Sequence, residues 1–152
     1  MEYTTQMDAA RKGIVTEELR KVAEKEHFEV NELMALVAEG KAAIPANKNH
    51  RCLDPNGIGS MLRTKINVNL GTSRDCKDLD MELEKVNYAV GMGAESIMDL
   101  SSWGDTQKFR RKLTAECPAI IGTVPIYDAV VYYHKPLKDI TTEEWLKIVE
   151  MH

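Results

Sequence analysis

A chain of 152 residues, 43% hydrophobic and 29% charged, has the composition of one ordinary folded domain rather than of a disordered chain. Twenty Lys and Arg against 24 Asp and Glu leave a formal charge of −4, so the basic surplus that nucleic-acid binding needs is missing. No apolar run approaches the roughly 18 residues of a membrane helix. The opening residues, Met1 to Asp8, carry no basic segment followed by an apolar core, so neither a membrane partner nor a secretory leader is expected.

In chain order, Thr16 predicts a helix start with Glu17 and Glu18 in the first turn, where carboxylates favour the positive end of the helix dipole, and with Leu19, Val22 and Ala23 at helical spacing. Asn31 is expected to cap a second short helix holding Leu33, Met34, Leu36 and Val37, with Gly40 just past its end. Ile44 to Gly57, punctuated by Pro45, Pro55 and Asn56-Gly57, reads as turns and irregular backbone. From Arg63 to Leu70 the pattern alternates: Ile66, Val68 and Leu70 fall on one face, Lys65, Asn67 and Asn69 on the other. Leu79, Leu83, Val86 and Val90 then mark a helix that Gly91 and Gly93 end, and Ser96–Leu100 follows as a short strand. Asp105 is placed to cap a helix through Phe109 and Leu113, closed by Pro118; its basic run of Lys108, Arg110, Arg111 and Lys112 reads as a solvated face. Ala119–Val124 is the third strand, with Pro125-Ile126-Tyr127 in the loop after it, and Thr141-Thr142-Glu143-Glu144 is a capping box for a last helix.

Strands and helices alternating over short connections mean βα units on a parallel sheet. Three units suit either half of a doubly wound sheet or the opening of a barrel, and the absence of GxGxxG and GxxxxGK[ST] favours the barrel. The expected fold class is α/β: a small N-terminal helical and loop region over residues 1–60, then the first three βα units of a (β/α)8 barrel over residues 61–152, truncated. A complete barrel takes roughly 200 residues or more, and the last helix reaches Met151-His152 without a stop signal, so the chain reads as cut off. The open strand edge of such a piece invites pairing with a second copy, and a homodimer is expected.

Ligands of barrels and open α/β sheets sit at the carboxyl ends of the strands. That rule nominates Asn67, Asn69 and Gly71-Thr72-Ser73, then Met98, Asp99, Ser101 and Ser102, then Thr123 and Tyr127. A central parallel strand is normally apolar on both faces, so two amides there imply an internal hydrogen-bond network or a polar ligand. Met98 suits core filling or a ligand wall; Asp99 suits a base, a hydroxyl acceptor or a helix partner; Tyr127 suits a phosphate contact or a rim seal. Cys52, Cys76 and Cys117 have no CxxC spacing, and His27, His50, His134 and His152 are scattered, so no metal site is expected within the chain. Three free thiols suit a reducing interior, and the cytoplasm is the expected compartment.

Five stretches together resemble the phosphomethylpyrimidine synthase (ThiC) family, in that family's order: Gln6–Gly13, Ile44–His50, Lys65–Ser73, Gly93–Ser101 and Gly122–Tyr127. The resemblance implies an N-terminal domain, a (β/α)8 barrel and a C-terminal arm carrying a [4Fe-4S] cluster on CxxCxxxxC. It implies radical S-adenosylmethionine (SAM) chemistry that turns 5-aminoimidazole ribotide, a small-molecule substrate, into the hydroxymethylpyrimidine phosphate of thiamine. It also implies substrate contacts at Asn69, Met98 and Tyr127, with zinc-binding histidines and cluster cysteines on sequence not present here. Two positions depart from the family pattern: Ser102-Trp103 stands where Thr-Gly is usual, and Asp128 where Gln is usual. They keep open a paralogous product from the same ribotide, 5-hydroxybenzimidazole for anaerobic cobalamins. Without CxxCxxxxC, the chain by itself is expected to be inactive, which leaves a third reading as a non-catalytic binding or oligomerising piece.

Overall fold

A computed structural model describes residues 2–152. Three short helices open the chain: α1 (Gln6–Arg11), α2 (Glu17–Glu26) and α3 (Val30–Ala38). The Thr5 and Thr16 hydroxyls accept from the backbone N–H of Asp8 and Leu19, satisfying donors that the first turns of α1 and α2 leave free. Leu19, Val22 and Ala23 of α2 and Leu33 and Val37 of α3 bury against one another with Ala10, Ala42 and Ile44. α3 begins earlier than Asn31, at Val30, and Glu29 in the cap position makes no side-chain cap bond. Its start is set by burial of Leu33 and Val37 rather than by a capping amide.

The loop-rich stretch is irregular as read, but its ends pair. β1 (Ala42–Ala43) and β2 (Ile58–Gly59) form a two-residue antiparallel ladder, Ala42 opposite Gly59. Gly59 has φ 144°, and a Cβ there would collide with the Lys41 carbonyl, so only glycine closes this turn.

The remainder is a mixed α/β unit: β3 (Asn67–Leu70), α4 (Leu79–Gly91), β4 (Ser96–Asp99), α5 (Thr106–Glu116), β5 (Ile120–Thr123), α6 (Pro125–Tyr133), a 3-10 turn (Leu137–Asp139) and α7 (Thr142–Met151). The strands are parallel in the order β3-β4-β5, with Val68, Ile97 and Ile121 in register. Those three side chains and Leu70 meet Leu79, Leu83, Val86 and Val90 of α4 and Phe109 and Leu113 of α5 in a second core. Each fully buried side chain of this kind contributes about 1.5–3 kcal/mol. Because side chains alternate along a strand, this packing assigns Asn67, Asn69, Ser96, Met98 and Gly122 to the opposite face.

Three expectations are corrected here. β3 covers four residues rather than eight and is an edge strand, so Asn67 and Asn69 are exposed instead of sitting in a central, twice-covered strand. Pro125 to Tyr127 is not loop but the first turn of α6: Pro at the start loses no hydrogen bond and has its φ already set. Arg110, read as part of a solvated basic face, is buried, while Lys108 and Arg111 beside it are exposed.

The N-terminal region is tied to the sheet by polar contacts. Lys65 and Glu26, both almost fully buried, form an ion pair, and Arg63 N–H donates to the same carboxylate at 2.8 Å. Cys52 Sγ and the Asp54 N–H donate to the carbonyls of Cys117 and Pro118 at 3.2 and 2.9 Å. The capping box of α7 is present, with Thr141 N–H donating to Glu144 at 2.8 Å and Glu144 N–H to the Thr141 hydroxyl at 3.3 Å.

Candidate functional site: the polar face of the sheet

The register sets Asn69, Met98 and Gly122 side by side across the three strands. Met98 lies over Gly122: a Cβ at Gly122 would stand 2.6 Å from the Met98 methyl and 2.8 Å from its sulfur. The missing side chain is the notch that seats the thioether. Asn67 Nδ2 donates to Asn69 Oδ1 at 2.8 Å, and Ser96 Oγ donates to Asn67 Oδ1 at 2.9 Å. Neighbouring strands thus hold one polar side-chain chain, Ser96 to Asn67 to Asn69, beside the polarisable wall of Met98. Lys65, expected on the same face, is instead engaged with Glu26.

Tyr127 stands off the sheet, in the first turn of α6 just past β5, with 42% of its surface exposed. The structure therefore brings two of the three candidate residues together and carries the third on a separate element at the same end of the strands.

Other strand-end candidates hold the loops. Gly71 has φ 142°, and a Cβ there would strike the Ser101 nitrogen. Thr72 N–H donates to Ser101 Oγ at 3.1 Å, Ser102 N–H to the Thr72 carbonyl at 2.9 Å, and Thr72 Oγ1 to the Trp103 carbonyl at 2.6 Å. These bonds lace the β3 and β4 loops together. Asp99 accepts from Ser101 N–H at 2.9 Å and is buried, which pushes its carboxyl above the ordinary value despite the Ser101 bonds and the nearby Arg110 charge.

Arg110 reaches from α5 between two buried acids, 2.5 Å from Asp128 on α6 and 4.0 Å from Asp99. His152 Nε2 lies 3.3 Å from the same Asp128 oxygen, and burial, with the Arg110 charge, pushes its ring below the ordinary value. Asp128 is thus held in an ion pair rather than on the polar face. Trp103 also stays off that face: Lys77 sits 5.0 Å over its ring, and it lines a cleft of about 910 Å³ between Ser102–Gln107 and α6 that includes Val130, Tyr132 and His134.

Arg110 was the functional-region residue missed in the sequence, and its signal was there. Thr106, Phe109, Arg110 and Leu113 follow helical spacing i, i+3, i+4, i+7, so an arginine occupies the buried stripe of α5. Gly122 is a quieter miss: a glycine inside a strand pattern marks close approach of a neighbour.

Among the described residues no three His, Cys, Asp or Glu side chains converge to hold a metal ion. Cys52 contacts the Cys117 carbonyl, and Cys76 faces Glu82 at 3.8 Å, so the three free thiols do not form a cluster seat. These residues do not fit an iron–sulfur cluster or a zinc ion. No helix among them is long and apolar enough to cross a membrane.

The model of the radical SAM ThiC family matches residues 5–152. The chain belongs to that family. Phosphomethylpyrimidine synthase of Clostridium botulinum (strain 657 / Type Ba4) is 65% identical over all 152 residues, and that of strain Hall is 66% identical over the same span. The enzyme of Clostridium novyi (strain NT) is 62% identical over the whole chain. In each comparison the chain spans 35% of the relative's length, so this radical SAM ThiC family chain corresponds to about a third of those enzymes.

Proposed function

We propose that this chain serves as the N-terminal part of a radical SAM lyase that rearranges 5-aminoimidazole ribotide to 4-amino-5-hydroxymethyl-2-methylpyrimidine phosphate for thiamine biosynthesis. The observation that carries the reading is identity of 65–66%, sustained over the entire chain, to enzymes named phosphomethylpyrimidine synthase. The polar sheet face supports it: an amide from Asn69 for a ring or ribose edge, a proton-silent wall from Met98, and the Tyr127 phenol for ribose or phosphate. Radical chemistry wants a shaped, dry pocket in which the protein orients and protects while the cofactor does the hard step.

Three parallel strands in sequential order, each followed by a helix, support the opening of a (β/α)8 barrel over residues 61–152. Two separate hydrophobic clusters support the division from residues 1–60. SAM, a [4Fe-4S] cluster and zinc belong to the proposal on family grounds, with ligands outside this chain; a cytoplasmic homodimer belongs to it likewise. The hydroxybenzimidazole product gains no support from Asp128 and Trp103, since the first is engaged by Arg110 and the second by Lys77.

The test is calorimetric titration of the full-length enzyme with ribotide. Asn69→Ala and Tyr127→Phe each weaken binding by about 1–3 kcal/mol, the usual cost of losing a hydrogen bond to a group that ligand binding buries, and Lys108→Ala changes nothing. Equal effects from all three overturn the assignment of the site.

A further inference from the structure

We propose that Asn67 is a positioning residue that fixes which end of the Asn69 amide faces the substrate. The inference rests on the reading of Asn69 as a substrate contact and concerns a residue which that reading leaves without a role.

An asparagine amide has a carbonyl face and an NH2 face of nearly the same shape, and a site that needs one is poorly served by the other. Residues two apart on a strand lie on the same side, so Asn67 and Asn69 are stacked along β3. Asn67 Nδ2 donates to Asn69 Oδ1 at 2.8 Å, which occupies the acceptor end of Asn69. The remaining freedom is the orientation of Asn67 itself. Ser96, buried on the neighbouring strand, donates its hydroxyl proton to Asn67 Oδ1 at 2.9 Å, and in this arrangement the Asn67 NH2 is the end turned toward Asn69. β3–β4 register places Asn67 directly opposite Ser96, so the backbone enforces this contact. The bonds run from Ser96 to Asn67 to Asn69, which occupies Asn69 Oδ1 and leaves its Nδ2 as the donor available to a ligand. The complementary substrate atom is an acceptor: an unprotonated ring nitrogen or a ribose or phosphate oxygen, not an N–H.

Asn67→Asp inverts the polarity while keeping the Ser96 contact. A carboxylate only accepts, so Asn69 must turn its NH2 inward and present its carbonyl to the substrate. Asn67→Ala removes the clamp and lets the amide rotate. In the full-length enzyme, Asn67→Asp is expected to raise KM for the ribotide roughly tenfold or more with kcat at saturation little changed, and Asn67→Ala to raise it less. The same loss must appear in the binding of the neutral ribonucleoside, where repulsion between the new carboxylate and a phosphate is absent. Melting temperatures of both variants are measured alongside, and the neutral-ribonucleoside binding is compared only between variants that melt within a few degrees of the parent.

A loss confined to the phosphorylated ligand, or an Asn67→Ala defect as large as that of Asn67→Asp, overturns the polarity assignment. If Asn69→Ala weakens binding and Asn67→Asp does not, the positioning role alone falls. If Asn69→Ala itself binds ribotide like the parent, the assignment of the site falls and this inference with it.

Discussion

Replacing Arg110 with Met removes the one cation between two buried acids while keeping most of the apolar stem volume. Asp99, Asp128 and Arg110 are each less than a tenth exposed, with Arg110 2.5 Å from Asp128 and 4.0 Å from Asp99. Breaking a buried pair by removing one partner costs about 3–5 kcal/mol, because the other charge is left uncompensated. For a chain of 152 residues, 1 kcal/mol moves the melting midpoint by roughly 2–4 °C, so Arg110→Met should lower it by about 6–20 °C at pH 7. The pH dependence has a definite sign. Burial holds the folded Asp99 carboxyl above its ordinary value, so the native state binds more protons than the unfolded one in that interval. Its stabilising effect is complete below the ordinary carboxylate value and is lost as pH rises through the raised one. Removing Arg110 pushes further the same way, and the freed His152 takes up a proton opposite Asp128 more readily. The deficit of the variant should therefore be largest at neutral pH and shrink toward pH 5. Melting curves by circular dichroism at pH 7 and pH 5 measure it. A loss below about 2 °C at pH 7, or a deficit that grows in acid, refutes the ion-pair account.

Two further perturbations probe other parts of the fold. The Glu26 carboxyl is raised by burial but lowered more by its bonds to Lys65 and Arg63, ending below its ordinary value. Its contribution is present above the ordinary glutamate value and lost as pH falls through the depressed one, so Glu26→Gln should cost about 3 kcal/mol at pH 7 and progressively less as pH falls below the ordinary glutamate value, as read in urea titrations. Cys117 is buried and its thiol is pushed above the ordinary value by burial, so it should be alkylated by iodoacetamide after Cys52 and Cys76, as read by peptide mass mapping. Cys117 reacting as fast as Cys76 contradicts the packing of α5 against the N-terminal region.

What was legible in the sequence divides along physical lines. Helix starts with a side-chain cap were visible because the cap is local chemistry: Thr16, Asp105 and Thr141 all stand where the hydroxyl or carboxylate accepts from the first turn. The strand order followed from alternation and short connections. The start of α3 and the β1–β2 ladder were not visible, because burial of Leu33 and pairing of residues seventeen positions apart, Ala42 with Gly59, are tertiary events. The start of α6 was missed because Pro125 to Tyr127 was placed in a loop, whereas Pro125 sits in the first turn of a helix, where proline is tolerated. In the candidate site, Asn69 and Met98 were nominated by the strand-end rule, and the register sets them side by side. Neither the Ser96–Asn67 bond nor the Gly122 notch could be read from one strand alone, since each depends on the neighbour. Asp128 stood out in the sequence only as a departure from the family pattern, whereas its environment is set by an arginine eighteen residues earlier on another helix.

The central claim is the reaction of the longer protein, and product identity tests it most directly. The full-length enzyme is incubated anaerobically with 5-aminoimidazole ribotide, SAM and a reductant, and the products are identified by mass. Hydroxymethylpyrimidine phosphate is the predicted product; 5-hydroxybenzimidazole with formate, or no conversion of the ribotide by a cluster-replete enzyme, contradicts the account.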